Sequence, residues 1–121
     1  MPQSIFWKDI DGCYLGCNRA FAAAVGLDHP SAIVGKTDFD LPGSRTQAEA
    51  YRAEDREVVS SGNPKLHIIE KARLADGSWI WAETCKLPLL DAQGKATGVL
   101  GVYEDITQRR REEAALQSSL E

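Results

Sequence analysis

The sequence predicts an α+β domain with an antiparallel sheet and a segregated group of helices. Three observations predict it. Alternating strand-like runs occur at both ends of the chain, separated by helix-like sequence in the middle. The longest middle segment, 45–61, opens with a capping-box pattern and stops at a glycine. The last three strand-like runs are joined by short turns of the type that links antiparallel neighbours.

The first half of the chain contains short elements. Residues 4–9 alternate and are rich in β-forming side chains, so they predict a strand, and 13–17 predict its hairpin partner. Residues 19–25 predict a short helix, and 31–35 and 37–41 predict single helical turns. The separating residues are Asp11-Gly12, Asn18, Gly26, Gly35 and Pro42-Gly43.

The second half contains longer elements. Helix 45–61 has one stripe suited to burial, formed by Ala48, Tyr51, Asp55 and Val58. The period then changes to two, which predicts strands at 65–74, 79–90 and 96–106. A helix follows the last strand directly, with no glycine or proline at the join. Together these elements predict an antiparallel meander that ends in an exit helix.

Composition limits the classes of function. The chain has 121 residues, 43% hydrophobic and 26% charged, which suits one domain with a modest core. Its net charge of -4 argues against a nucleic-acid or anionic-membrane partner. It has no long apolar window, and its first four residues do not form a signal peptide. We therefore expect a cytoplasmic location.

The chemistry-bearing residues do not form a catalytic or metal pattern. Cys13 and Cys17 would lie roughly 13 Å apart on one strand, too far for a disulfide or for one metal ion. With Cys85 they are expected to be reduced thiols. His29 and His67 have no nearby triad partners, and there is no phosphate-binding glycine loop. We therefore expect no catalytic residue and no metal site.

Several short motifs follow one another along the chain: Lys8-Asp9-Ile10-Asp11-Gly12, Asn18-Arg19-Ala20-Phe21, Gly35-Lys36-Thr37-Asp38, Asp76-Gly77-Ser78-Trp79, Leu87-Pro88-Leu89 with Asp91 and Gly94, and Gly101 through Thr107. The order of these motifs resembles the PAS family of sensory domains. The resemblance implies a five-stranded antiparallel sheet with short helices on one face that enclose a small pocket. It also implies a larger signalling parent, most often a bacterial histidine kinase or diguanylate cyclase, whose catalytic part is absent here.

The same resemblance guides the expectations about cofactors. Haem is disfavoured because helix 45–61 contains no histidine, and His67 is a weak candidate ligand. The flavin-linked light sensors of this kind need an Asn-Cys-Arg run, whereas this chain has Cys17-Asn18-Arg19. A photoadduct is therefore not expected, and the cofactor is none or unknown. Non-covalent flavin stays open as an alternative, because it needs only volume and a few polar groups.

Alternation, set in register by the family pattern, predicts which residues face the helices. The candidate pocket residues are Phe6, Phe21, Val25, Phe39, Tyr51, Val58, Ile68, Glu70, Ala82, Thr84 and Tyr103. The alternative is that they pack as a filled core without ligand. Glu70 would need a partner if buried, either Lys86, Lys8 or a ligand. A one-residue slip in register would instead return Glu70 to solvent.

The opposite face of the sheet is predicted to be a dimer interface. All three tryptophans alternate to that side, and so much contiguous apolar surface is rarely exposed on a monomer. A second copy or a flanking helix would cover it; partial burial under the N-terminal residues is the alternative. The interface candidates are Trp7, Trp79, Trp81, Leu100 and Val102.

The join between the last strand and the exit helix is predicted to relay a signal. Asp105, Ile106 and Thr107 are the relay candidates, which divides the chain into a sensory domain, 1–106, and a signalling helix, 107–121. Ile106, Leu116 and Leu120 follow coiled-coil spacing. We therefore expect a non-catalytic sensory input module, a homodimer, which senses a small ligand or partner for a downstream effector in the same chain. The alternatives are a flavin-bearing redox or light sensor and a ligand-free dimerisation module.

Overall fold

The computed structural model describes residues 3–120, which form one antiparallel sheet with helices on its inner face. The strand order is β2-β1-β5-β4-β3. This confirms the predicted five-stranded α+β architecture. The elements are β1 (Ser4–Asp9), β2 (Tyr14–Cys17), α1 (Arg19–Ala24), two 3-10 turns (Pro30–Ile33 and Asp38–Asp40), α2 (Arg45–Ser61), β3 (Lys65–Arg73), β4 (Trp79–Leu90), β5 (Ala96–Asp105) and α3 (Thr107–Leu120).

Helix α2 begins and ends where its sequence signals predict. The Ser44 hydroxyl accepts from the Gln47 amide at 3.1 Å, and the Gln47 side chain accepts from the Ser44 amide at 3.0 Å. Gly62 ends the helix in the left-handed conformation, with φ of 70°. The helix buries Ala48, Asp55 and Val58 against the sheet. An aspartate on this buried stripe requires a partner inside the domain.

An aromatic core fills the β1–β2 side of the inner face. Phe6 from β1 packs on Phe21 from α1, with ring centroids 4.8 Å apart, and on Tyr14 from β2 at 5.7 Å. The side chain of Asn18 connects α1 to β1, because its Oδ1 accepts from the amides of Phe21 and Ile5, each at 3.0 Å. This side of the inner face is therefore filled by side chains.

The β5 backbone comes close to β1. A Cβ added at Gly101 would lie 2.1 Å from the Phe6 ring, and one at Gly98 would lie 2.1 Å from the Lys8 carbonyl oxygen. Both glycines are therefore required by packing.

A helix that crosses a membrane must be long and apolar. Within residues 3–120, every helix is too short or too polar to cross a membrane.

Candidate functional site

A cavity of about 80 Å³ lies between the inner face of the sheet and the helical layer. Its wall combines aromatic rings with charged and hydroxyl groups. The lining residues are Phe6, Lys8, Tyr14, Phe21, Val25, Asp38, Leu41, Pro42, Tyr51, Glu70, Ala72, Arg73, Ala82, Thr84, Lys86 and Tyr103.

Most of the predicted pocket residues line this cavity. They are Phe6, Phe21, Val25, Tyr51, Glu70, Ala82, Thr84 and Tyr103. Three predicted residues lie elsewhere. Phe39 is 51% exposed, because its 3-10 turn directs the neighbouring Asp38 inward instead. Val58 is fully buried but packs outside the lining, and Ile68 follows an irregularity in the β3–β4 pairing and also lies outside it.

Several polar residues that line the cavity are absent from the predicted set. Alternation from Phe6 and Thr84 already directs Lys8 and Lys86 inward, so these two could have been included. Asp38 carried no such signal, because it lies in a short turn without periodicity. Its role becomes visible only when the turn is placed over β1.

The first half of the buried charge network is centred on Lys8, which is 1% exposed. Its ammonium donates to Asp38 Oδ2 at 2.6 Å and to Asp55 Oδ2 at 2.7 Å. The Tyr14 hydroxyl donates to the other Asp38 oxygen at 2.6 Å. Burial and then Asp38 raise the pKa of Tyr14, so its phenol stays protonated. This network connects β1, β2, the second 3-10 turn and α2.

The second half of the network is centred on Lys86, which is 2% exposed. Its ammonium donates to Asp55 Oδ1 at 2.9 Å and to the Tyr51 carbonyl at 3.4 Å. Glu54 Oε2 lies 3.1 Å away, an ion-pair distance without hydrogen-bond geometry. Burial alone would lower the pKa of Lys86, but Asp55 and Glu54 outweigh it and raise that pKa. Asp55 therefore bridges both lysines.

Glu70 faces the cavity without an ion-pair partner among residues 3–120. Its pairing with Ala82 fixes the inward register, so the predicted alternative of a slip to solvent is wrong. The alternative in which Lys86 or Lys8 pairs with Glu70 is also wrong, because those ammoniums contact Asp38, Asp55 and Glu54. Its one hydrogen bond within the described chain is from the Thr84 hydroxyl at 3.2 Å. Burial and then Glu54 raise the pKa of Glu70 to about 6, although Lys86 opposes the shift.

The volume of the cavity limits what it holds in this conformation. Pockets for drug-sized ligands span about 300 to 1,000 Å³, whereas this cavity measures about 80 Å³. A cavity of this volume suits a small molecule. His67, the weak haem candidate, lies outside the lining with an exposed side chain. Within residues 3–120 no cluster of ligating side chains could hold a metal ion.

The exit helix is attached to β4 beside the cavity. The Ile106 amide donates to the Trp81 carbonyl at 2.8 Å, and the Trp81 amide donates to the Thr107 hydroxyl at 2.9 Å. Asp105 Oδ1 accepts from the Thr107 amide at 2.9 Å. Arg109 pairs with Glu83 at 3.1 Å. The three relay candidates thus meet in one junction, and their main contact outside β5 is with β4.

The start of α3 differs from the predicted coiled-coil seam. Ile106 is 2% exposed and packs in the domain, so it is not free to pack against a partner helix. Leu116 and Leu120 remain exposed. Their predicted role in a seam stays a prediction.

The outer face of the sheet separates the predicted interface residues into two groups. Trp7 pairs with Leu100, which pairs in turn with Leu87 on β4. Trp79 and Trp81 lie at the other end of β4, with Trp81 about 20 Å from Leu87 along the strand. The prediction that all three tryptophans lie together is therefore wrong, although they share one face.

The two groups also have different surroundings. The first, which we call the apolar patch, consists of partly exposed residues: Ile5, Trp7, Leu87, Leu100 and Val102. In the second group, cations lie over both tryptophans. The Arg110 guanidinium is 4.3 Å from the Trp81 ring centroid, and that of Arg73 is 5.6 Å from the Trp79 centroid. We call this second group the cationic patch, with Lys71 at 5.4 Å from Trp81 as its third cation.

The cavity is lined by both apolar and charged side chains, and β4, one of its wall strands, also contacts the exit helix. The family described as PAS fold matches residues 1–111, and the chain belongs to that family. The resemblance seen in the sequence motifs is thereby confirmed.

Two of the named relatives are sensor proteins. The chain is 31% identical over 117 residues to the aerobic respiration control sensor protein ArcB of Escherichia coli K12, covering 96% of this chain and 14% of ArcB. It is 32% identical over 105 residues to the C4-dicarboxylate transport sensor protein DctS of Rhodobacter capsulatus, covering 86% of this chain and 16% of DctS. It therefore spans only a small part of the curated relatives that it matches.

A solved structure with a similar fold contains a ligand. VqmA bound to DPO superposes with a TM-score of 0.79 at 27% identity, covering 86% of this chain and 52% of VqmA. The chain is thus a PAS domain that is similar to parts of the sensor proteins ArcB and DctS and to the structure of VqmA bound to DPO.

Proposed function

We propose that the domain binds a small molecule in its inner cavity and relays that binding to α3. The observation that carries this proposal is that Ala82 and Thr84 line the cavity, while the alternate residues Trp81 and Glu83 hold the start of α3. A ligand that moves β4 would move both sets of contacts, because alternate residues of one strand share its backbone.

The proposed relay is a population shift between two positions of the exit helix. A ligand favours the position to which it binds better. Asp105, Ile106 and Thr107 would transmit the change, since their hydrogen bonds join β5, β4 and α3. The contacts with Trp81 add β4 to the route expected from the sequence, which ran through β5 alone.

We propose further that the parent is a cytoplasmic signalling protein in which this domain regulates a histidine kinase. ArcB and DctS, both named as sensor proteins, support this choice. A diguanylate cyclase parent is the alternative. VqmA bound to DPO supports a small-molecule ligand over a ligand-free dimerisation module.

A homodimer is the proposed assembly, with the apolar patch at its centre. The patch joins partly exposed side chains from β1, β5 and β4, and a flat apolar sheet surface suits a second copy. A Vibrio cholerae relative, VqmA, is a dimer. Leu116 and Leu120, exposed on α3, would extend the contact along the helix. Sedimentation of Trp7→Ser beside the unaltered chain tests this, because loss of a dimer supports the patch and no change in mass contradicts it.

Native mass spectrometry of the domain purified from cells tests ligand binding. We expect an added small mass that denaturation releases. Ala72→Phe should abolish it by occupying the rim of the cavity, whereas Ala53→Phe, on the exposed side of α2, should retain it. Equal retention by both variants, or an unliganded domain that also ignores a metabolite library, would contradict a cavity ligand.

A further inference from the structure

The ammonium groups in the cavity wall are already engaged. Lys8 donates two short hydrogen bonds to Asp38 and Asp55. Lys86 donates to Asp55 and to the Tyr51 carbonyl, and Glu54 lies at ion-pair distance from the same ammonium. An incoming anion would have to displace one of these carboxylates in order to reach a positive charge.

Within the described part of the chain, the other polar groups around the cavity offer no further positive charge to a ligand. Arg73 borders the cavity, but its guanidinium lies over Trp79 on the outer face. The Tyr14 hydroxyl is engaged with Asp38. Two lysines are thus surrounded by three carboxylates, those of Asp38, Asp55 and Glu54, before Glu70 is counted.

Glu70 is the charged group of the cavity wall that is available to bind a ligand. It lines the cavity, and within residues 3–120 only the Thr84 hydroxyl contacts it as a hydrogen-bond donor. A carboxylate in a partly buried space gains most from a charged donor, because charge-assisted hydrogen bonds are roughly twice as strong as neutral ones. A carboxylate ligand would instead stand beside Glu70 and repel it.

We propose that the cavity selects a small ligand with a cationic N–H donor group, which pairs with Glu70, and that it excludes small carboxylates. This inference rests on the proposed function of the cavity as a ligand site. It identifies the chemical class of that ligand as an amidinium-like or protonated amine compound.

A set of isosteric probes tests the selectivity. Acetamidinium, acetamide and acetate share one planar shape and differ in charge and donors. We would titrate each into the isotope-labelled domain at about pH 7.5, where Glu70 is ionised, and follow the amide signals of Glu70, Ala82 and Thr84. Succinate serves as a C4-dicarboxylate probe, since DctS is a C4-dicarboxylate transport sensor.

We expect acetamidinium to bind about tenfold or more tightly than acetate, the size of one charge-assisted hydrogen bond. Glu70→Gln should remove this difference while acetamide binding persists, because the variant keeps the shape of the side chain. Exposed Glu57→Gln is the matched control and should keep the difference.

The outcomes separate the two proposals. Acetate or succinate binding as tightly as acetamidinium would overturn the charge selectivity and leave the cavity as a ligand site. Selectivity that survives Glu70→Gln would overturn the role of Glu70. If no probe shifted any cavity signal and the purified domain also contained no ligand, both the selectivity and the proposed function would fail.

Discussion

On the inner face of the sheet, Lys8 and Lys86 are buried and paired with carboxylates, whereas on the outer face Lys71, Arg73 and Arg110 lie over tryptophan rings near solvent. The cations on both faces are lysine or arginine side chains, but the loss of their partners changes the stability of the fold by different amounts. A buried ion left without its partner is strongly destabilising, whereas an exposed cation–π contact contributes about 0.5 to 1 kcal/mol. The inner face therefore fixes the fold, and the outer face is suited to adjustable contacts with α3.

The largest effect is expected from breaking the inner network at its bridge. Asp55→Asn should lower the free energy of unfolding by about 3 to 5 kcal/mol, because both buried lysines lose a carboxylate. Glu49→Gln, whose pair with Arg45 is exposed, should cost less than about 1 kcal/mol. Urea denaturation monitored by circular dichroism measures both. Similar small losses for the two variants would show that the inner network does not fix the fold.

Substitutions at two glycines test whether the inner face of the sheet is more rigid than the outer face. A Cβ at Gly101 would lie 2.1 Å from the buried Phe6 ring, and one at Gly16 would lie 2.3 Å from the partly exposed Trp7 ring. Gly101→Ala should cost about 2 to 3 kcal/mol, within the range for overpacking. Gly16→Ala should cost about 1 kcal/mol, since Trp7 can move toward solvent. Chemical denaturation should rank them in this order, and the reverse order would contradict a more rigid inner face.

Glu70 should make stability depend on pH. Its pKa of about 6 in the folded chain lies above the ordinary 4.5, so the folded state holds the proton more tightly. Its contribution to stability is therefore present below about pH 4.5 and lost as the pH rises through about 6. Glu70→Gln should stabilise the domain by about 1 kcal/mol at neutral pH, a value reduced for partial exposure.

Thermal denaturation across this pH window measures the Glu70 effect. The wild-type and Glu70→Gln curves should converge near the acid end and separate as the pH rises. Glu57→Gln serves as the exposed control and should run parallel to wild type. A constant separation at all pH values would contradict titration of Glu70.

The sequence predicts the inner face well where periodicity is strong. Helix α2 and strand β4 have the predicted bounds, because capping signals at Ser44 and Gln47 and a strict alternation from Trp79 define them. Alternation also directs Glu70 and Thr84 inward. The prediction that Phe39 lines the pocket is wrong, because a 3-10 turn has no long period and the direction of its side chains depends on the contact between Asp38 and Lys8.

Contacts between residues that are far apart in the sequence are less predictable. Alternation assigns the three tryptophans to one face but does not give their positions along it, and pairing register separates Trp7 from Trp79 and Trp81. The partner of Glu70 was also unpredictable, because the distribution of carboxylates around Lys86 depends on where α2 crosses the sheet. The alternation of residues along a strand therefore predicts which face of the sheet a side chain lies on. Which residues it contacts depends on tertiary packing.

The smallest effect is expected at the cationic patch. Arg110→Ala should reduce global stability by only about 0.5 to 1 kcal/mol, the size of an exposed cation–π contact. It should nevertheless change tryptophan fluorescence, because the guanidinium lies 4.3 Å from the Trp81 ring. Arg56→Ala, on the exposed side of α2, is the control and should leave the emission unchanged. Identical spectra for both variants would contradict a specific Arg110 contact.

The coupling between the cavity and α3 is the central claim, and hydrogen exchange measures it most directly. Amide exchange of residues 79–90 and 103–112 would be followed with and without acetamidinium, using acetate as the control. We expect acetamidinium to change protection both at the cavity-lining segment of β4 and at the start of α3. Changes confined to the cavity wall, with exchange in α3 unaltered, would contradict the proposed relay.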